Sequence, residues 1–264
     1  SPGRFSDSSK DPIISIGLSQ KNSDKFFAWS KAKKQNEKLL ENETKVIESF
    51  FIEMEKISPQ IIVTYNGDNF DFPYIKERAR KNKVDYKKAF GSEIKIKKMG
   101  LEMGAVLSGL QHVDAYKLVR LLNRFGVTSL IKFDLESVHE ALYGKPKEKV
   151  TNIDINIAFE TGEGMQRMLD YNLEDSNTTL RIANDYLPLY VEISKLVRQT
   201  LFDSTRSGAS SLVEDLLLQK AFELNFLAPN RPNEGEVKNR NLQSFKGGYV
   251  KEPVAGLHEN IAIL

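Results

Sequence analysis

Two aspartates lie three positions apart in a short polar segment, residues 63–74, whose sequence is VTYNGDNFDFPY. A tight turn needs only one Asn, Asp or Gly at its sharpest point, so this segment carries more carboxylates than a turn requires. Two interpretations of Asp68 and Asp71 stay open on these residues alone. Either both aspartates form the turn, with Asp71 capping a helix that begins near Pro73, or one of them binds a metal ion.

A second acidic group occurs in LDYNLEDSNTTL, residues 169–180, where Tyr171 precedes Asp175 by four positions. On a helix this spacing places both side chains on one face. A carboxylate and a phenol one turn apart suit a site in which the carboxylate binds a metal ion and the phenol orients a nucleophilic water. Alone, the Y-x-x-x-D spacing is weak, because such pairs arise by chance in many helices.

The composition limits which metal could bind. The chain has no cysteine, and its three histidines lie far apart in the sequence. Any metal site would therefore use oxygen ligands, which favours Mg²⁺, Mn²⁺ or Ca²⁺. The net charge of +2 is compatible with nucleic acid but is too small to argue for it. No apolar run approaches the roughly 18 residues needed to cross a bilayer, and neither end resembles a signal peptide, so we expect a soluble protein.

The first half of the chain alternates strand and helix patterns. A hairpin is predicted from strands at 13–18 and 26–29, then a helix from residue 44 that Pro59 ends. The run Ile61-Ile62-Val63 predicts a buried strand, and a helix is expected from Pro73 to about residue 80. This alternation predicts an α/β domain, in which ligands bind beyond the carboxyl ends of the strands. Asp68 and Asp71 follow such an end.

The rest of the chain is predicted to be mostly helical. A hairpin within residues 94–116, with Ser108-Gly109 as its turn, precedes these helices. Pro188 is expected to end a helix over 164–186, and the segment 228–236 has the Pro, Asn and Gly content of a linker. The other predicted elements are helices at 118–122, 135–142 and 189–226 and a closing strand at 261–264.

Taken together, the acidic segments resemble a known family. YNGDNFDFPY resembles the second exonuclease motif of the family B DNA polymerases of archaeal type, and YNLED resembles the third. GKPKEKV (144–150), DSTRSGASSLVEDLLLQKA (203–221) and FKGGYVKEP (245–253) are similar to the same polymerases in the same order, with Phe245 in place of the usual tyrosine. The resemblance covers nearly the whole chain.

The resemblance implies a fold and an activity. It implies an α/β, RNase H-like (DnaQ-like) 3′–5′ exonuclease domain over residues 1–187 that lacks its first strand. A helical segment over 188–228 and the start of the polymerase palm over 229–264 would follow. The implied reaction is proofreading, in which mispaired 3′ nucleotides are hydrolysed by a two-metal mechanism.

The family's functional residues map onto particular positions of this chain. Asp71 and Asp175 match its metal ligands, Tyr171 matches the tyrosine that orients the attacking water, and Asp68 becomes the structural residue that shapes the turn. The resemblance also assigns DNA contacts to Asn66 and Phe70 in the turn and to Lys246, Gly247 and Gly248 near the palm.

Two catalytic acid groups of the family are expected outside the sequence. The D-x-E motif should lie just before Ser1, since the first forty residues contain none, and the first palm aspartate should follow Leu264. We therefore expect an incomplete site for the two Mg²⁺ or Mn²⁺ ions of the intact protein and no catalysis by these residues alone. The alternative is a non-catalytic DNA-binding or structural piece.

The implied partners are a single-stranded 3′ end and primer–template DNA, with a sliding clamp for the whole protein and no membrane. The implied location is the cytoplasm, associated with the nucleoid. Three further residues are expected to be structural or ambiguous. His112 and Asp114 are interpreted as serving the end of the predicted hairpin, whereas Arg206 either approaches DNA or belongs to a helix-capping loop.

Overall fold

The computed structural model describes residues 6–32, 39–99, 102–144, 150–230, 232–242, 252 and 255–257. The chain divides into two compact units, Ser1–Gln219 and Lys220–Leu264. Within the described ranges no helix is long and apolar enough to cross a membrane. The domain boundaries predicted after residues 187 and 228 stay predictions.

The first unit opens with the predicted hairpin. Strand β1 (Ser15–Gln20) pairs antiparallel with β2 (Ser23–Ala28), and Gln20 lies opposite Ser23. Helix α1 (Glu43–Ile57) follows, and the Asn42 side chain caps it by accepting a hydrogen bond from the Lys45 amide. Its apolar face packs into a core with the hairpin. The alternating and helical periodicities of this region were sufficient to predict both elements.

A parallel pair of short strands forms the centre of the fold. Strand β3 (Ile61–Thr64) lies beside β6 (Gln111–Asp114), with Thr64 opposite Asp114. Helix α2 (Asp71–Asn82) begins after the turn that follows β3, and helix α4 (Ala115–Arg124) begins directly after β6. Because the strands are parallel, both turns open at the same edge.

Between α2 and β6 the predicted hairpin is present but shifted. After helix α3 (Lys87–Phe90), strand β4 (Lys95–Met99) pairs antiparallel with β5 (Glu102–Val106), and Met99 lies opposite Glu102. Ser108-Gly109 instead connects β5 to β6, and the prediction that it forms the hairpin turn is wrong. Turn-forming residues mark a change of direction but do not show which strands pair.

Helix α7 corrects another prediction. Helices α5 (Leu135–Tyr143) and α6 (Asn152–Thr161) precede α7 (Met165–Val197), which passes through Pro188 without ending. A proline inside a helix costs about 3 kcal/mol. Tyr190, two positions later, is fully buried in a core with Leu118, and its hydroxyl donates to the Leu118 carbonyl at 3.3 Å. Packing on both sides of the proline therefore outweighs its cost.

Two more helices follow in place of the single helix predicted over 189–226. These are α8 (Leu201–Ser204) and α9 (Ala209–Glu223). Helix α10 (Glu234–Leu242) begins inside the predicted linker. There the Asn233 side chain accepts from the Glu236 amide at 2.9 Å, and Glu236 accepts from the Asn233 amide at 2.8 Å. This reciprocal capping starts a helix in a segment that reads as loop by composition. The closing strand predicted at 261–264 lies outside the described residues.

Candidate active site

The turn after β3 is held in place by Asp114 at the end of β6. The Asp114 carboxylate accepts hydrogen bonds from the amides of Asn66 at 2.8 Å and Asp68 at 3.1 Å. It also accepts from the Tyr116 amide and thereby caps α4. Burial, and then the charge of Asp68, raise the pKa of this fully buried carboxylate. Asp114 therefore shapes the turn, a role that was predicted for Asp68. The prediction that Asp114 lies at a hairpin end is wrong.

The backbone of the turn needs its particular residues. Asn66 adopts a φ of 63°, in the left-handed region that asparagine tolerates better than most residues. A Cβ at Gly67 would lie 2.0 Å from the Thr64 hydroxyl oxygen, so only glycine fits there without a shift. The excess of turn residues in YNGDN is thus required by one close approach and one positive φ.

Asp68 points away from the turn into a buried ion-pair network. Its carboxylate accepts two hydrogen bonds from the Arg206 guanidinium, both at 2.9 Å, and lies 2.7 Å from the Lys117 ammonium. The Ala105 amide and the His112 ring also contact it, at 2.7 and 3.3 Å. Burial alone raises a carboxylate pKa, but the hydrogen bonds from His112 and Arg206 hold the pKa of Asp68 well below its usual range.

The contacts of Arg206 decide between its two interpretations. Its side chain is almost fully buried against Asp68 and also donates to the His112 carbonyl at 3.0 Å. The Arg206 guanidinium also donates to the Phe202 carbonyl of helix α8 at 2.9 Å, so Arg206 belongs to the loop that caps this helix, and its buried side chain does not approach DNA. His112 likewise lies inside the network rather than at a hairpin end. No local sequence signal joins residues 68, 112 and 206, because their contacts are made across the sheet.

Asp71 is the first residue of α2, and it does not cap the helix. The capping position is Phe70, and no side-chain hydrogen bond caps this end, so the capping alternative is wrong. The Asp71 side chain is exposed to water, yet nearby protein atoms desolvate it in part. This desolvation, with the charges of Asp114 and Asp175, raises the pKa of Asp71 to about 7.

The structure brings Asp71 and Asp175 together from distant parts of the chain. Asp175 projects from α7, and its carboxylate lies within electrostatic range of both Asp71 and Tyr171. Helix α7 packs against β3, which places the acidic turn beside it. The charge of Asp175 therefore acts on Asp71; that the two carboxylates share one metal site stays a prediction.

The negative charge of the site favours a cation, and its carboxylates would supply part of the ligands. Like charges around Asp71 raise its pKa, which is a repulsion that a cation would relieve, and carboxylate oxygens are the ligands that Mg²⁺ and Mn²⁺ prefer. In the part of the chain that the structure describes, no three acidic or histidine side chains are arranged to hold a metal ion. Asp71 and Asp175 would therefore supply only part of a coordination shell.

Comparison with known proteins identifies the chain. The model of the DNA polymerase family B exonuclease domain matches residues 1–138. The chain belongs to the family B DNA polymerases. The DNA polymerase of Pyrococcus horikoshii is 38% identical over 258 residues, which cover 97% of this chain and 20% of that protein. The DNA polymerase of Thermococcus gorgonarius is 39% identical over 254 residues, covering 96% and 32%.

A solved structure confirms the fold. The family B DNA polymerase from the hyperthermophilic archaeon Pyrobaculum calidifontis superposes on 87% of this chain and 29% of its own with a TM-score of 0.73 and 22% sequence identity. The chain spans 15–33% of the length of the curated polymerases that it matches. What these findings establish is an α/β fold that carries the exonuclease domain of family B polymerases.

The residues that were predicted to contact DNA fall into two groups, those that the structure describes and those that it does not. Phe70 is half exposed beside Asp71, and its ring packs against Tyr74 with centroids 5.3 Å apart. The Asn66 side chain accepts from Asn69 at 2.9 Å on the exposed side of the turn. Lys246, Gly247 and Gly248 lie outside the described residues, so their assignment stays a prediction.

One partner of Tyr171 was not predicted from the sequence. The Tyr171 hydroxyl donates a short hydrogen bond to the carboxylate of Glu136, in the first turn of α5. Desolvation and then this hydrogen bond raise the pKa of Tyr171, so its phenol keeps its proton at neutral pH. The sequence offers a weak signal, since Glu136 follows the Asp134 cap in an otherwise apolar helix start, but nothing local links it to Tyr171.

Proposed function

We propose that this chain carries the 3′–5′ proofreading exonuclease of a family B DNA polymerase and that Asp71, Tyr171 and Asp175 form its site. The observation that carries the proposal is the electrostatic interaction of Asp71, at the start of α2, with Asp175 on α7. The family membership and the similar fold support it. We further propose that the domain is RNase H-like and that DNA is its substrate.

The residues of the chain have distinct parts in the proposed reaction. Asp71 and Asp175 would hold Mg²⁺ or Mn²⁺, and Asp114 keeps the turn that carries Asp71 in position. When bound, two such ions stabilise the charge on the attacking and leaving oxygens of a phosphodiester. The exposed Phe70 ring would stack on a base of the 3′ strand, which gives affinity without sequence preference. The Tyr171 hydroxyl would orient the water that attacks.

We also propose that these 264 residues alone cleave DNA poorly. Two carboxylates leave most of the coordination of two ions to water, and Mg²⁺ loses its water ligands reluctantly. Polymerisation is proposed for the whole protein and not for these 264 residues. The competing function is DNA binding without chemistry, in which the acidic site would be incidental.

The test is removal of nucleotides from a 3′ single strand by the full-length protein with Mg²⁺ or Mn²⁺. Asp71→Ala and Asp175→Ala should abolish this activity and spare nucleotide addition. Asp170→Ala is the matched control, because Asp170 is an exposed aspartate of the same helix as Asp175. Wild-type degradation by both site variants would contradict the proposal and favour the DNA-binding alternative.

A further inference from the structure

The contact between Glu136 and Tyr171 joins two helices at the edge of the proposed site. Tyr171 lies four residues before Asp175 on α7, and Glu136 lies in the first turn of α5. The phenol donates a hydrogen bond to the Glu136 carboxylate. A hydroxyl has one proton and two lone pairs, so once that proton is committed the oxygen can act toward other groups only as an acceptor.

The start of α5 is held by contacts besides those of Glu136. The Asp134 side chain caps the helix by accepting from the Ser137 amide at 2.9 Å. The Tyr65 hydroxyl, directly after β3, donates to the Phe133 carbonyl at 2.6 Å. Both anchors lie within three residues of Glu136, and the charges of Asp114 and Glu136 both act on the Tyr65 phenol and raise its pKa after burial does.

Farther along, α5 is bound to α7 by contacts that do not involve Glu136. The His139 ring lies 3.0 Å from the Thr178 hydroxyl, and the Tyr143 hydroxyl donates to Asp185 at 2.8 Å. Val138 of α5 and Ile182 of α7 share a buried apolar cluster. Docking of the two helices therefore has other sources, and a carboxylate at position 136 is not needed for it.

We propose that Glu136 is a positioning residue of the exonuclease that fixes the direction of the Tyr171 hydroxyl. Because the hydroxyl proton of Tyr171 points at Glu136, the lone pairs of the Tyr171 oxygen face the site. A water beside this oxygen must therefore donate a hydrogen bond to it. This arrangement fixes the orientation of the water before it attacks. The phenol keeps its own proton throughout and is not the base. The inference rests on the proposed exonuclease function.

The experiment is a double-mutant cycle on the full-length protein, with kcat and KM measured on single-stranded DNA. Glu136→Ala should lower kcat between about 10-fold and 10²-fold, the range expected when a reacting group is misplaced, and leave KM unchanged. Glu136→Gln, which keeps an acceptor oxygen, should restore most of the loss. In a Tyr171→Phe background, Glu136→Ala should cost nothing more, because no hydroxyl remains to be oriented.

Two controls separate positioning from other roles. Glu140→Gln removes a charge from an exposed site one turn along α5 and should leave kcat unchanged. Mn²⁺ affinity, measured by calorimetry without DNA, should be the same for Glu136→Ala and wild type. Weakened Mn²⁺ binding would make Glu136 a ligand, and additive losses in the cycle would make it a plain helix bridge; either result overturns the inference.

Failure of the inference is distinguishable from failure of the function. If the wild-type protein degrades the strand and Asp71→Ala stops it while Glu136→Ala behaves as wild type, only the inference is wrong. If the wild-type protein does not degrade the strand, or Asp71→Ala does not stop it, the exonuclease proposal fails and the inference fails with it.

Discussion

Asp68 and Asp71 differ in environment although they lie only three positions apart in the sequence. Asp68 is fully buried and meets Arg206, Lys117 and a backbone amide, so its negative charge is compensated. Asp71 is reached by water and meets the like charges of Asp114 and Asp175. The pKa of the first is lowered and that of the second is raised.

The difference shows which of the two carboxylates is available for chemistry. A compensated, buried carboxylate has its lone pairs occupied and stabilises the fold. A carboxylate that repels its neighbours gains from binding a cation, and such perturbed groups in concave sites are candidates for function. Four changes test this contrast, in order of decreasing expected effect.

The largest effect is expected from removing Asp68, the carboxylate whose charge is compensated. Asp68→Ala leaves the charges of Arg206 and Lys117 buried without their carboxylate partner. Removing one partner of a buried ion pair typically costs about 3–5 kcal/mol. We expect a large fall in the thermal midpoint of the full-length protein, measured by calorimetry. A midpoint within a degree of wild type would show that the network does not stabilise the fold.

The second change acts on the uncompensated side. Asp71→Ala should abolish measurable exonuclease activity, a loss of at least roughly 10²- to 10³-fold, since a metal ligand contributes several kcal/mol to the transition state and each 1.36 kcal/mol is a factor of ten. The same variant should leave the thermal midpoint in EDTA equal to or above that of wild type, because it removes a repelled charge. A loss of stability as large as that of Asp68→Ala would erase the distinction between the two sides.

Much of this arrangement could be predicted from local sequence. The alternation of β1 and β2, the periodicity of α1 and the apolar run of β3 each specify an element over a few neighbouring residues. The turn residues YNGDN predicted a tight turn, and the motif resemblance singled out Asp71, Tyr171 and Asp175. These signals are local, or depend on short segments whose order along the chain is known.

What could not be predicted depends on contacts between distant residues. The Asp68–Arg206 pair joins positions 138 residues apart, and Glu136 meets Tyr171 across a separation of 35. Helix α7 continues through Pro188 because of the packing of Tyr190, which no local propensity reports. Single-residue signals also misled at Asp114, whose partners are backbone amides of the neighbouring strand's turn.

The third change tests the residue that joins the two sides. Asp114→Asn keeps the shape of the side chain but replaces one carboxylate oxygen with an NH₂ group. This group cannot accept a hydrogen bond from the backbone N–H that it faces. Leaving a buried amide of Asn66 or Asp68 unpaired should cost about 1–3 kcal/mol. Because the turn carries Asp71, the exonuclease rate should fall as well. A stability loss with an unchanged rate would mean that the turn does not position Asp71.

The smallest effect is expected in the pH dependence of stability, and its sign differs between the two aspartates. The pKa of Asp71 rises from its ordinary value of 3.8 to about 7, so between these pH values the folded state binds more protons than the unfolded state. Its contribution to stability therefore falls as pH rises from 4 to 7. Asp68 has a lowered pKa, so its contribution is present above pH 3.8 and is lost only as pH falls below that value.

Matched asparagine variants separate these contributions. In EDTA, the thermal midpoint of Asp71→Asn relative to wild type should rise between pH 4 and pH 7, because the variant has no charge to desolvate there. That of Asp68→Asn should stay below wild type across this range and approach it only in acid. The Asp71 effect is the smaller, since water reaches its carboxylate and screens the repulsion. Parallel curves for the two variants would contradict the opposite pKa shifts on which the comparison depends.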